Sequence, residues 1–146
     1  DRVREIAGSE PVTFNNHQQG LSPAAFQKSL SSSFTLLSTN FDLDGLEFVS
    51  SFEGINSPYF GVQWHPEKNN FEFGVIGGSD TPYEAIDHSS NAIRVTQEMA
   101  RVFADSARGS KNVFEGDDES FPLIILDKGA ELMTGTSFEQ IYVWTE

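Results

Sequence analysis

The residues best suited to chemistry lie in one octet, Gly61-Val62-Gln63-Trp64-His65-Pro66-Glu67-Lys68. Proline disfavours the helical region for the residue before it, so His65-Pro66 is extended. In extended backbone, positions two apart project to the same side, which lets the Glu67 carboxylate reach one ring nitrogen of His65. That hydrogen bond fixes the tautomer and leaves the other nitrogen as a base. The octet is therefore the base-plus-orienter part of a nucleophilic triad, delivered at the C-terminal end of a strand, where ligand sites of open α/β sheets gather. A bare His-x-Glu also arises wherever a strand runs out into a polar loop, and taken alone it favours that plainer explanation.

Competing chemistries are narrowed by what the chain contains. A zinc deaminase pairs its Glu with a downstream Pro-Cys-x-x-Cys, and this chain has no cysteine. The same absence excludes disulfides, thiolate metal sites and any cysteine nucleophile carried by this chain. Asp42 and Asp44 beside Gly45 fall short of the ligands an EF-hand needs and read as a hairpin turn. Gly77-Gly78-Ser79-Asp80 lacks the Lys and the following helix of a phosphate cradle. His88 precedes an N-cap and reads as a capping or loop residue.

Composition sets the outer bounds. The chain has 146 residues, 22 acidic against 9 basic, a net charge of −13 and a pI near 4.4. A protein that lives on phosphates needs a basic face, so no nucleic-acid partner is expected. No apolar run approaches the roughly 20 residues of a membrane span. The chain opens on Asp1 without the apolar stretch of a signal peptide, a start that reads as following a processing or truncation site, so compartment is not legible from this end.

The elements that must position the octet are as follows. Ser22 caps a short helix with Pro23 at its first position. Strands are predicted over Phe34–Thr39 and Leu46–Phe52, joined by a turn ending in Asp44-Gly45. A third, Tyr59–Trp64, is apolar on both faces and predicted to be buried on both sides; Phe60 and Trp64 read as core, with Trp64 also a candidate substrate contact. From Asn69 to His88 a long ordered loop is expected. A helix then starts at Ser89 or Ser90 and ends at Gly109, burying a stripe of Ile93, Thr96, Ala100, Phe103 and Ala107 widened by Val95, Met99 and Val102. Glu115–Glu119 reads as a solvated acidic loop, and Leu123–Leu126 and Ile141–Trp144 as two closing strands.

The full octet resembles the catalytic-histidine motif of class I glutamine amidotransferase-like proteins, and its Trp64 and Lys68 variant is similar to that of the γ-glutamyl hydrolase (folylpolyglutamate hydrolase) family. Asn16-His17 with Gly20-Leu21-Ser22-Pro23, Phe34–Thr39, His88–Ile93, Phe103–Arg108 and Phe138–Val143 extend the likeness over nearly the whole chain. Residues 1–146 correspond to the C-terminal half of the family's single domain.

The resemblance implies a flavodoxin-like three-layer α/β/α sandwich and a Cys-His-Glu mechanism that cleaves the γ-linked glutamate tail of folates or related conjugates, with no cofactor and no metal. By resemblance His65 is the catalytic base, Glu67 orients it, and His17 is a second histidine beside the substrate. The family's nucleophile sits on a Gly-x-Cys-x-Gly elbow in the N-terminal half, and this chain has no such segment. The expected partners are therefore that half and the γ-glutamyl substrate, with a homo-oligomer left open, and the resemblance implies a lysosome or vacuole or the outside of the cell. An acidic chain is a poor host for polyanionic tails, so basic contacts are expected from the partner half or from Lys68 and Arg94. The stretch Gly74–Glu84 is longer than the family pattern. A non-catalytic binding relative and the glutaminase half of an amidotransferase are the alternatives.

Overall fold

The computed structural model describes residues 2–112, 130–132 and 140–142. They fall into two compact units, residues 1–71 with 86–107, and residues 72–85 with 108–146. The expected strand Leu123–Leu126, the acidic loop Glu115–Glu119 and residues Val143 and Trp144 lie outside the described residues.

The first unit is a mixed α/β arrangement around an antiparallel three-stranded sheet in the order β1 (Phe34–Phe41), β2 (Glu47–Gly54), β3 (Phe60–Val62). The β1–β2 turn is built as its sequence suggests. The Asp42 carboxylate accepts from the backbone N–H groups of Asp44 at 2.9 Å and Leu46 at 2.8 Å, and Gly45 takes the left-handed conformation with φ +79° that a side chain would resist. Asp42 is thus committed to backbone donors, which accounts for it without calcium. Register runs from Phe34 opposite Gly54 to Phe41 opposite Glu47, with irregularities around Ser38.

Strand β3 departs from expectation. It is shorter than Tyr59–Trp64, pairs with β2 alone among the described strands, and leaves Phe60 57% exposed. After Val62 one more backbone bond reaches β2 before the chain turns to Phe14. Its next backbone bonds are from Gln63 N–H to Ser50 O and from His65 N–H to Phe14 O, both 2.9 Å. Gly61 sits opposite Phe52, and a Cβ at Gly61 would fall 2.3 Å from the Phe52 ring. The glycine lets that ring lie across β3, where it also meets Phe26 of helix α2 (Pro23–Ser29) and Phe34. Ser22 caps α2 through Ala25 N–H, with Pro23 at the first position, as predicted.

The opening residues, polar on average, nevertheless form a helix, α1 (Arg2–Ser9). Val3 and Ile6, three apart, share a face, and Ile6 is buried in the core with Val12, Trp64, Ala92 and Val95. The long loop expected from Asn69 is shortened at its start by a single turn, α3 (Lys68–Phe71). Helix α4 (Ser90–Arg108) is capped by the Ser89 hydroxyl, which accepts from Ala92 N–H at 3.2 Å. Its buried face differs from the predicted stripe. Ala92, Val95 and Thr96 are buried with Met99 packed beside them, whereas Ala100 is exposed and Phe103 is 75% exposed. The core formed by Trp64, Val12 and Ile6 abuts the first turns, so burial follows that core and not the whole apolar stripe.

In the second unit, Val75 bridges Pro82 around a turn in which Gly78 has φ +80°, so the Gly77-Gly78 pair serves chain reversal. Strands β4 (Ala130–Leu132) and β5 (Gln140–Tyr142) pair antiparallel; β5 overlaps the predicted closing strand at Ile141 and Tyr142 and begins one residue before it. No helix among the described residues is long and apolar enough to cross a membrane.

Candidate active site

Pro66 and Glu67 lie in a turn leading into α3 and not in the extended backbone expected, yet the predicted contact is made across that turn: Nδ1 of His65 lies 2.9 Å from Oε1 of Glu67. A carboxylate only accepts, so in the neutral ring Nδ1 carries the proton and Nε2 presents a lone pair. The side chains are 30% and 61% exposed. In that setting even a charged pair contributes little to stability, and the consequence of the contact is orientation.

The ring of His65 is restrained on other sides as well. His17 stacks on it with centroids 4.8 Å apart and planes 18° from parallel. Phe14 packs at a tilt with centroids 6.2 Å apart, while its carbonyl holds the His65 N–H. The Lys68 ammonium sits 5.4 Å from the Phe14 ring centroid, close enough for a cation–π contact. The two histidines singled out from the sequence are therefore brought together with Glu67. Phe14 joins the site from a segment distant in sequence, through both its ring and its carbonyl, and no local pattern marks it.

Trp64, a candidate substrate contact on sequence, belongs to the core instead. It is 8% exposed and packed among Ile6, Val12, Ala92 and Val95. Trp64 lies in a bend just after β3, and with its ring in the core the adjoining His65 side chain is left 30% exposed. The tryptophan anchors the segment and the histidine is what it presents.

Beside His17 opens a groove of about 560 Å³ whose lining includes Asn15, Gln18 and Gln63 together with Asp42 and Glu47. Carboxamides supply both donors and acceptors, suited to a peptide-like ligand. Among the described residues no Lys or Arg lines it. Arg94 lies exposed on α4, so neither of the two basic residues expected to meet an anionic tail faces this groove.

Asn69 is fully buried, donating to Val12 O and Asp87 O and accepting from Thr96. His88, read as a loop residue, donates from Nδ1 to Asn69 O at 2.8 Å. Glu10 accepts from Asn91 on both carboxylate oxygens, tying the end of α1 to the start of α4. Among the described residues no group of three or more His, Asp or Glu side chains could hold a metal ion.

No protein-family model matches the chain. Comparison with curated proteins gives a consistent result. The chain is 36% identical over 138 residues to the γ-glutamyl hydrolase of Bos taurus, covering 92% of this chain and 41% of that protein. It is 33% identical over 139 residues to γ-glutamyl hydrolase B of Dictyostelium discoideum, covering 93% and 38%, and 33% identical over 142 residues to γ-glutamyl hydrolase 2 of Arabidopsis thaliana, covering 95% and 39%. The chain thus spans about two fifths of the length of the curated relatives it matches. Nearly all of its own length is matched, the octet that resembles the catalytic-histidine motif carries an oriented histidine, and the chain belongs to the γ-glutamyl hydrolase family.

Proposed function

We propose that this chain supplies the general-base half of a cysteine hydrolase that cleaves γ-glutamyl bonds, of folate polyglutamates or related conjugates. The observation that carries the reading is the 2.9 Å contact between His65 Nδ1 and Glu67, which leaves Nε2 free to take a proton. The nucleophile comes from a segment outside this chain, which has no cysteine. Joined to it, the chain completes a flavodoxin-like α/β/α sandwich.

In the reaction, Nε2 of His65 takes the thiol proton as sulfur attacks the γ-carbonyl carbon. Collapse of the tetrahedral adduct breaks the C–N bond, and His65 returns the proton to the leaving amine. Water then attacks the thioester with His65 again accepting a proton, and the thiol leaves. Glu67 holds the imidazole in the useful tautomer throughout and offsets the positive charge it acquires. His17 braces the ring, and the groove beside it accepts the peptide-like part of the substrate. Trp64 acts from the core by anchoring the segment that bears His65.

The test is to assay the chain alone, and the chain joined to a family segment bearing the Gly-x-Cys-x-Gly elbow, on a γ-glutamyl peptide. Turnover is expected only from the pair, and turnover by the chain alone would overturn the cysteine mechanism. An assembled pair that releases ammonia from glutamine and leaves γ-glutamyl peptides intact would identify a glutaminase half instead.

A further inference from the structure

The His65–Glu67 contact is open to solvent at both ends, and exposed pairs hold their own geometry poorly because two mobile side chains must be ordered in a medium of high dielectric. The backbone between them must be fixed by something else. Pro66 restricts one residue of it. The other end is held by Asn69.

We propose that Asn69 is the positioning residue of this site, its buried carboxamide closing a ring of backbone that keeps His65 and Glu67 in register. Its Nδ2 group donates to Asp87 O at 2.8 Å and to Val12 O at 3.3 Å, and its Oδ1 accepts from the Thr96 hydroxyl at 3.2 Å. From Val12 the chain reaches Phe14, whose carbonyl accepts from His65 N–H at 2.9 Å. The ring runs from His65 through Glu67 to Asn69, across to Val12, on to Phe14 and back to His65. Glu67 lies on an arc tied at both ends, and His17 follows Phe14 on the arc opposite. Both partners of the His65 ring are thereby referred to one side chain.

The residue type follows from the contacts. Only a carboxamide presents two N–H donors and a carbonyl acceptor from one short planar group. An aspartate would set a carboxylate against two carbonyls, and an alanine would take their Asn69 partner from Val12 O, Asp87 O and the Thr96 hydroxyl where Asn69 is 0% exposed. The proposal rests on the reading of His65 as the base, and its test separates the two.

The experiment uses the assembled enzyme with nitrogen-15 in the imidazoles of this chain's three histidines. In wild type the ring shifts of His65 report the Nδ1–H tautomer. Asn69→Ala is expected to return His65 to the tautomer mixture of a free imidazole and to lower kcat by roughly 10- to 100-fold while KM stays within about 2-fold, since misplacing a reacting group mainly costs turnover. Thr96→Val, which spares both donors, is expected to retain the wild-type tautomer and kcat. An Asn69→Ala enzyme that folds, as judged by buried Trp64 fluorescence, and keeps the wild-type tautomer would overturn the proposal. If Asn69→Ala does not fold, Asn69→Ser, which keeps a donor, is judged by the same criterion. Failure of both to fold makes Asn69 a core residue only and equally overturns it. A shifted tautomer in Asn69→Ala, with full activity in His65→Ala, would leave the role of Asn69 standing and remove the hydrolase reading.

Discussion

The imidazole of His17 lies almost flat on that of His65, with ring centroids 4.8 Å apart, although the whole β1–β2 hairpin separates them in sequence. Stacking restrains the plane of the His65 ring and Glu67 restrains its rotation within that plane. A base held by two partners of different kind loses both only when both are changed, and this shapes the first prediction.

In the assembled enzyme, His65→Ala should lower kcat by about 10²- to 10⁴-fold, the usual contribution of a positioned acid/base group. Glu67→Gln should cost less, because His17 still restrains the ring, and His17→Ala combined with Glu67→Gln should exceed the product of the single losses. Steady-state kinetics on a γ-glutamyl peptide measure all four. Wild-type turnover by a folded His65→Ala enzyme would remove His65 from the mechanism.

Gly61→Ala should destabilise the fold by roughly 1–3 kcal/mol, the usual cost of forcing extra volume into a packed site. The added Cβ meets the Phe52 ring at 2.3 Å, and that ring is held by Phe26 and Phe34. Phe52→Leu in the same chain should recover part of the loss. Urea melts of the wild type and the two variants decide it, and an unaltered midpoint for Gly61→Ala would contradict the close packing.

The groove beside His17 carries Asp42 and Glu47 and, among the described residues, no basic lining residue. If it receives the tail of the substrate, adding glutamates to that tail should raise KM, and Glu47→Lys should lower KM for the longer tail by several-fold, since a lysine replaces repulsion with attraction near a protein surface. Identical KM values for short and long tails in both enzymes would place the tail elsewhere.

Leu37, Phe41, Phe60, Phe71 and Phe103 are large apolar side chains that the described structure leaves exposed. Scattered apolar residues are ordinary on a surface, but this many exposed aromatics in a chain matching two fifths of its relatives' length should make the isolated chain self-associate. Sedimentation and dye binding test this. The charge of −13 should slow association at low salt, and a monodisperse, dye-silent monomer would mean that the chain is self-sufficient.

On α4, hydrogen bonding from Arg101 holds the Glu98 carboxyl below the usual glutamate range, with the charge of the guanidinium a smaller cause and desolvation opposing. The native state then binds fewer protons than the unfolded one, so the stabilisation is present above the ordinary glutamate value and disappears as pH falls through the lowered native value. A carbon-13 titration of Glu98 should show its midpoint rise in Arg101→Gln. An unmoved midpoint would show that the pair does not persist in solution.

Local chemistry made the hairpin turn at Asp42–Gly45, the Ser22 and Ser89 caps and the His65–Glu67 contact legible in the sequence, because each is decided by atoms a few residues apart. Burial was not legible in the same way. Apolar residues state that a face can be buried, and only the neighbouring elements decide which part of it is. Hence the core takes Ala92, Val95 and Thr96 in place of the longer predicted stripe, and Phe60 is exposed on a strand expected to be covered. The stacking of His17 on His65, the inward turn of Trp64 and the ties of Asn69 all join segments distant in sequence. Such pairings have no local signature, since which donor meets which carbonyl is settled only when the chain has packed.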